Sequence, residues 1–206
     1  MRKMGYFGAI VLLGWMISPA VTSAANVTVG NAKVVVKTVV GTSDNNQRTL
    51  QLLDDVYHNE LIETKAESAT QLVFQDDTTV TLGPNSKLVL DRFVFDPNQS
   101  KGSFIMTATQ GVFRFASGKL SSKSYKINTP AGTLGIRGTE FTVAINDPQS
   151  NSQETGVVVE VGLVSGTVDV VTCQGNQQRL AVPDHTVRIV RADGGKCRVS
   201  TGRAIQ

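Results

Sequence analysis

Histidine, cysteine and aromatic residues are all scarce in this chain. Among 206 residues there are two His and two Cys, and Phe, Trp and Tyr together make up 6%. The histidines, His58 and His185, lie far apart in sequence, and the carboxylates form neither a calcium-loop motif nor a cooperating pair. A Ser-His-Asp site could assemble in space, but nothing selects one serine. We therefore expect no enzymatic activity, no metal and no cofactor.

Long apolar runs are missing after residue 25. Before it, Arg2 and Lys3 precede an apolar run from about Tyr6 to Ile17, and small residues follow at Ser23–Ala25. This order is typical of a cleavable signal peptide, and the run is too short and interrupted for a membrane-spanning helix of about 20 apolar residues. We expect a mature chain without a membrane segment, in the periplasm or secreted.

The mature chain also lacks an excess of charge. Loss of Arg2 and Lys3 from the 20 basic residues leaves 18, against 17 acidic ones. Nucleic-acid binding is therefore not expected, because it depends on a basic surface. Both cysteines, Cys173 and Cys197, lie in the mature chain, and an exported protein meets an oxidising compartment, so a disulfide between them is predicted. Two free or metal-bound thiols are the alternative, although neither Cys has a neighbouring ligand.

Helical periodicity is absent, and short alternating segments take its place. The pattern predicts an all-β fold of many short strands with little helix. The three clearest strands begin eight residues apart, a spacing that fits either a meander or the rungs of a β-solenoid. They are Leu72–Phe74, Val80–Leu82 and Leu88–Leu90. Gly41–Asn46 and Asp147–Thr155 are predicted to be mobile. Further strands are predicted at Phe104–Ala108, Gly111–Phe115, Tyr125–Thr129, Val157–Val161, Gly166–Val171, Leu180–Val182 and Val187–Ile189.

The stretch Thr129–Val143 changes its apolar phase partway along. Leu134 and Ile136 occupy even positions, whereas Phe141, Val143 and Ile145 occupy odd ones. Side chains alternate between the faces of a strand, so one residue must be absorbed if all five are to share a buried face. Gly138 is the position where a bulge is least unfavourable, and we predict one there.

Arg137 precedes this glycine and points away from the apolar face. Glu140 is near enough in sequence to pair with it. The pair can be structural, fixing the bulge, or Arg137 can be presented to a partner or an anionic ligand. We take Arg137, Gly138 and Glu140 as candidates for a structural or interaction role.

Several separated blocks of sequence follow one another over about residues 50–170. They are Asp55–Thr64, Ser68–Phe74, Asp77–Ser86, Leu88–Leu90, Gly111–Phe115, Thr129–Pro130, Gly135–Phe141 and Val157–Val170 with Gly162 and Gly166. In this order the blocks resemble the FecR domain family. The resemblance implies an all-β, solenoid-like or jelly-roll-like periplasmic domain, and the best-known members are inner-membrane anti-sigma regulators that receive a signal from an outer-membrane receptor.

This chain departs from those regulators, because only three residues precede Met4 and the apolar run. We therefore expect it to act through a partner, such as an outer-membrane receptor or a membrane-bound sensor, as an interaction or sensory accessory module. The alternative is a structural or cell-surface protein that self-assembles or binds envelope polysaccharide. The expected organisation is a signal peptide (1–25), an N-terminal β extension (26–49), the FecR-like domain (50–171) and a disulfide-held C-terminal β extension (172–206).

Overall fold

The protein is built from β-strands. A computed structural model describes residues 27–99, 101–121, 123–146 and 156–203; this part contains fifteen strands and no helix, so none that could span a membrane. The all-β prediction is confirmed. The predicted signal peptide and the Asp147–Thr155 segment lie outside the described residues. The strands are β1 (Thr28–Val36), β2 (Val39–Ser43), β3 (Asn46–Thr49), β4 (Asp55–Tyr57), β5 (Leu61–Thr64), β6 (Ala69–Phe74), β7 (Thr79–Leu82), β8 (Lys87–Asp96), β9 (Lys101–Ala116), β10 (Tyr125–Thr129), β11 (Gly132–Asn146), β12 (Val157–Thr172), β13 (Gln177–Leu180), β14 (His185–Arg191) and β15 (Cys197–Arg203).

One mixed sheet joins all fifteen strands and bends back on itself to form two layers. The first layer runs β3-β2-β5-β8, then the first half of β9, β10, the first half of β11, the second half of β12, and β13. The second runs β4-β1-β6-β7, then the other halves of β9, β11 and β12, then β14 and β15. Among the described strands, only β9 and β10 pair in parallel.

A glycine with positive φ marks each place where a long strand passes from one layer to the other. These are Gly111 in β9, Gly138 in β11 and Gly166 in β12, with φ of 101°, 58° and 83°. Such glycines let a strand bend sharply without a Cβ clash. The three long strands are therefore continuous, whereas the sequence predicted β9 and β12 each as two separate strands.

The core lies between the layers, and phenylalanines are its largest fully buried side chains. Phe74 of the second layer lies 5.7 Å from Phe93 and 4.8 Å from Phe104 of the first, measured between ring centroids. Phe115 lies 5.7 Å from Tyr125. The Phe74–Phe104 and Phe115–Tyr125 pairs meet edge to face, an arrangement that stabilises a core beyond its buried area, and they join the two layers.

Two local predictions are corrected by this topology. The equal steps predicted a meander or solenoid rungs, but β6 and β7 form a hairpin while β8 pairs with β5 and β9 in the other layer. Gly41–Asn46 was predicted to be mobile, but β2 and β3 form a hairpin around Asp44 and Asn45, whose φ angles are 47° and 63°. Two consecutive positive φ angles are typical of the tight turn that suits a hairpin, and Asp and Asn tolerate them.

Two carboxylates are buried by the fold. Glu60 is fully buried and accepts hydrogen bonds from Arg48 at 2.9 Å and from the backbone N–H of Tyr57 at 2.9 Å. Its pKa is raised, chiefly because burial removes the carboxylate from water, while the Tyr57 N–H and the Arg48 guanidinium oppose the rise. Arg48 also lies 4.9 Å from the centre of the Tyr57 ring. These contacts fix the segment between β4 and β5.

Asp76 is the second buried carboxylate. It accepts hydrogen bonds from the Thr78 hydroxyl at 2.6 Å and the Tyr125 hydroxyl at 2.8 Å. The Tyr125 oxygen in turn accepts the backbone N–H groups of Gly118 and Leu120, at 3.0 and 3.1 Å. Burial is the main cause that raises the pKa of Tyr125 to about 12, so this hydroxyl keeps its proton at neutral pH. The network ties the segment after β9 to the β6–β7 turn.

Candidate interaction surface

The predicted bulge is present at Gly138. Arg137 pairs with Thr167 and Glu140 with Ser165, so that Gly138 and Thr139 together face the single residue Gly166. The five apolar residues whose phase led to the prediction are all buried on the core side. The bulge therefore keeps the apolar residues before and after Gly138 on the same face of β11. It lies where β11 passes from one layer to the other.

Thr139 closes the gap that the bulge leaves in the hydrogen-bond ladder. Its side-chain hydroxyl donates to the carbonyl of Thr167 at 2.7 Å and accepts the N–H of Thr167 at 3.1 Å. Its backbone N–H donates to the Ser117 hydroxyl at 2.9 Å. Sequence reasoning missed Thr139; the available signal was a hydroxyl residue directly after the presumed bulge, where unpaired backbone groups need a partner.

Replacing Gly138 with valine should destabilise the fold by about 1–2 kcal/mol, because a β-branched residue is strained at positive φ. The added Cβ would meet no atom within 4 Å, so backbone strain is the whole effect. Gly138→Asn is the matched control, since asparagine tolerates this conformation, and it should change stability by less than about 0.5 kcal/mol. Urea unfolding of both variants checks this; equal losses would contradict the assigned backbone conformation.

Arg137 and Glu140 are not paired with each other, contrary to the sequence-based expectation. Arg137 donates to Asp169 at 2.9 Å, while Glu140 accepts from Arg114 at 2.6 Å. Asp169 also accepts from Arg179 of β13 at 2.6 Å. The bulge explains the change, because it places Gly138 and Thr139 between the two side chains, and the neighbouring strands supply closer partners.

Asp169 is shared by two arginines on the outer side of the first layer. Hydrogen bonding from Arg179 is the main cause that holds the pKa of Asp169 below its usual value, with a smaller contribution from Arg137. The two guanidinium groups and one carboxylate leave one positive charge in excess. Both arginines remain half-exposed, so each can contact a second group while bound to Asp169.

A shallow concavity of about 440 Å³ lies over this ion cluster. Besides the three charged residues, its lining includes Val171 and the β13 residues Gln177 and Gln178. In the described part of the chain, β13 pairs only with β12, so its other edge is open. Charge, side-chain amides and a free strand edge together suit the backbone and acidic side chains of another polypeptide.

A polar row crosses the outer side of the same layer. The Thr107 hydroxyl donates to Asp91 at 2.7 Å, and the Asn128 amide bonds to Thr107 at 3.4 Å and to Thr133 at 3.3 Å. These side chains belong to β8, β9, β10 and β11, which are neighbours in the layer. The layer thus presents a half-exposed hydrogen-bonding face beside the arginine cluster.

The predicted disulfide between Cys173 and Cys197 is present, with an S–S distance of 2.06 Å. Cys173 follows β12 and Cys197 begins β15, so the bond ties the β12–β13 connection to the last described strand. Closing this segment restricts the unfolded chain and should contribute about 3–4 kcal/mol in the entropic view of disulfides. It holds β13 and β15, both at open edges, to the body of the fold.

Neither histidine takes part in this surface. His58 follows β4 and His185 begins β14, at different places in the strand order, and the His185 ring lies against the carbonyl of Pro183 at 3.1 Å. Within the described ranges, no three His, Cys, Asp or Glu side chains lie close enough to hold a metal ion. What the geometry offers is a contact surface.

Comparison with known proteins gives one family and one fold. The model of the family described as "FecR protein" matches residues 60–169, just over half of the chain. Two crystal structures of a "putative anti-sigma factor" from Parabacteroides distasonis are similar to this chain at 15% and 14% sequence identity. Each match has a TM-score of 0.50 and covers 70% of this chain. The match spans 60% of the length of those chains. No curated protein matches.

Proposed function

Because the chain belongs to the FecR protein family, we propose that it is an exported regulatory module that acts by binding another envelope protein rather than by catalysis. The family is regulatory, and the solved structures of similar fold are described as anti-sigma factors. The signal peptide expected at residues 1–25 supports export to the periplasm or beyond it. A partner such as an outer-membrane receptor or a membrane-bound sensor would then carry the signal.

One observation carries the proposal most directly. The family match includes the bulged segment, and this segment holds Arg137 at the solvent-exposed ion cluster beside the open edge of β13. A purely structural ion pair would not need a second arginine, a concavity and a free strand edge. Surface ion pairs contribute little to stability, so the cluster is better explained by contact with a partner.

In-cell crosslinking of the exported protein, followed by mass spectrometry, tests the proposal. We expect a receptor or a membrane-bound sensor among the crosslinked proteins. The double variant Arg137→Gln and Arg179→Gln should reduce its recovery about tenfold, whereas Arg198→Gln, which removes an exposed arginine of β15, should leave it unchanged. Recovery of the chain itself or of glycan alone would overturn the proposal and favour the structural alternative.

A further inference from the structure

A leucine occupies a strained and exposed turn position between β3 and β4. The turn Gln51–Asp54 is closed by a hydrogen bond from the Asp54 N–H to the Gln51 carbonyl at 3.1 Å. Its two central residues are Leu52 and Leu53, which are 61% and 60% exposed. Leu53 has a φ of 70°, at a position where such turns favour glycine or asparagine.

Leucine at position 53 lowers folding stability for two reasons. A bulky side chain at positive φ strains the backbone, and two adjacent leucines expose apolar surface to water. Glycine or asparagine would remove both penalties. Strained residues occur disproportionately at functional sites. Leu53 is therefore a candidate for a role in binding, because it does not benefit folding stability.

The turn adjoins an open strand edge. The Leu53 N–H donates to the Ala32 carbonyl of β1 at 2.7 Å, and the Ala32 N–H donates to Asp54 at 2.9 Å. Before this point β1 pairs with β4. Beyond it, residues 34–36 pair with β6 on one side and with no described strand on the other, and Lys33 is the extra residue of a bulge between Ala32 and Val34. Val34 and Val36 on this stretch are each 43% exposed.

We infer that this edge of β1, with Leu52 and Leu53 at its end, binds an extended apolar segment of the partner protein that carries an acidic residue. A guest strand would lie beside β1 on the side where β4 pairs with it and would bind along the outer edge of residues 34–36, the side that faces no described strand. Val34, Val36 and the two leucines would cover its apolar side chains. The inference rests on the proposed function, because it requires a protein partner.

The charge along this edge of β1 favours a segment of a partner protein over a second copy of this chain. Lys33 is exposed, and among the described residues it makes no ion pair, whereas Lys37 at the end of the edge is bound to Glu67. Residues 28–43 contain two lysines and no acidic residue. A β1 strand from a second copy contains no acidic residue that could pair with Lys33, whereas an acidic residue on the guest strand complements it.

Site-specific photo-crosslinking in cells tests the inference. A photo-reactive residue replaces Val34, Leu53 or, as a control in the other layer, Val94 of β8, which is 57% exposed. We expect adducts at positions 34 and 53 with one protein, absent at 94, and mass spectrometry should place the crosslink in an extended apolar segment with an acidic residue. A synthetic peptide of that segment is then titrated against the purified chain.

Two variants separate binding from folding. Leu53→Asn removes the apolar side chain and relieves the backbone strain, so it should weaken peptide binding about tenfold or more while its melting temperature stays equal or rises. Val34→Lys should weaken binding similarly by placing charge on the edge, and Val94→Ser should change neither binding nor melting temperature. A merely structural role for Leu53 predicts unchanged binding.

The remaining outcomes overturn the inference in distinguishable ways. No adduct at positions 34 and 53, with a receptor or sensor still recovered in the crosslinking experiment above, rejects this edge but leaves the proposed function standing. Adducts of the chain with itself at positions 34 and 53 assign the edge to self-association. No adduct with another protein at any position, together with no partner in the crosslinking experiment above, rejects both.

Discussion

Replacing Arg48 with methionine is expected to destabilise the protein by about 3 kcal/mol. The change leaves the carboxylate of Glu60 fully buried without its cationic partner, and removal of one member of a buried ion pair is among the most damaging substitutions. Methionine keeps much of the volume of the arginine stem, so the loss reports the charge. Urea unfolding measured by circular dichroism gives the free energy directly.

The pH dependence of this loss identifies its cause. Glu60 already has a raised pKa in the folded protein, and loss of Arg48 should raise it further. The folded variant then binds a proton more tightly than the unfolded chain does, so its stability should be highest below the unfolded value of about 4.5 and fall as pH rises through the raised pKa. The destabilisation by Arg48→Met should therefore be smaller at pH 4 than at pH 7.

Arg114→Met provides the matched control. It removes the same group from a pair in which the arginine and glutamate side chains are 58% and 33% exposed. Water can replace the lost partner there, so the expected loss is about 0.5 kcal/mol, with little dependence on pH. Equal losses for the two variants would contradict the burial assigned to Glu60.

The second large effect is expected at Asp76. Asp76→Asn should destabilise the fold by about 2–3 kcal/mol, because an amide group would replace one of the two oxygens that accept hydrogen bonds from Thr78 and Tyr125. At least one buried donor would then face another donor, which carries the full desolvation penalty. The Ser117–Leu120 segment, which is bound to Tyr125, should exchange its amide protons faster.

Asp77→Asn is the same chemical change one residue later. Asp77 has a φ of 65°, which asparagine also tolerates, and among the residues that the structure describes it makes one ion pair, an exposed one with Lys119. The expected change in stability is within about 0.5 kcal/mol, so hydrogen exchange and urea unfolding of the two variants compare a buried and an exposed carboxylate directly. Similar losses would show that Asp76 does not anchor the network.

These two carboxylates illustrate where sequence reasoning stopped. Asp76 and Asp77 are neighbours in the β6–β7 turn, yet nothing in the local sequence indicates that only the first is buried. Its burial depends on Tyr125, which lies 49 positions away and belongs to the other layer. Alternation within a strand predicts which face is apolar, but it does not predict which distant strand covers that face.

In the segment around Gly138, one sequence-based prediction was confirmed and another was wrong. The phase change predicted the bulge because side-chain alternation is a local property of one strand. The pairing of Arg137 with Glu140 was wrong because it was judged from sequence distance, whereas β12 and β13 supply Asp169 and Arg179. Thr139 likewise bonds to Thr167 of β12, a partner fixed only when the strands meet.

The sequence by itself determined the all-β class, most strand positions, the bulge, the disulfide and the family, since these follow from local alternation, from turn residues, from a count of two cysteines and from motifs in order. Tertiary structure alone decided that β9, β11 and β12 pass through both layers, that Glu60 and Asp76 are buried, and that Leu53 stands beside an open edge of β1. Each of these depends on contacts between segments far apart in the chain, and such contacts form only when the layers close on a common core.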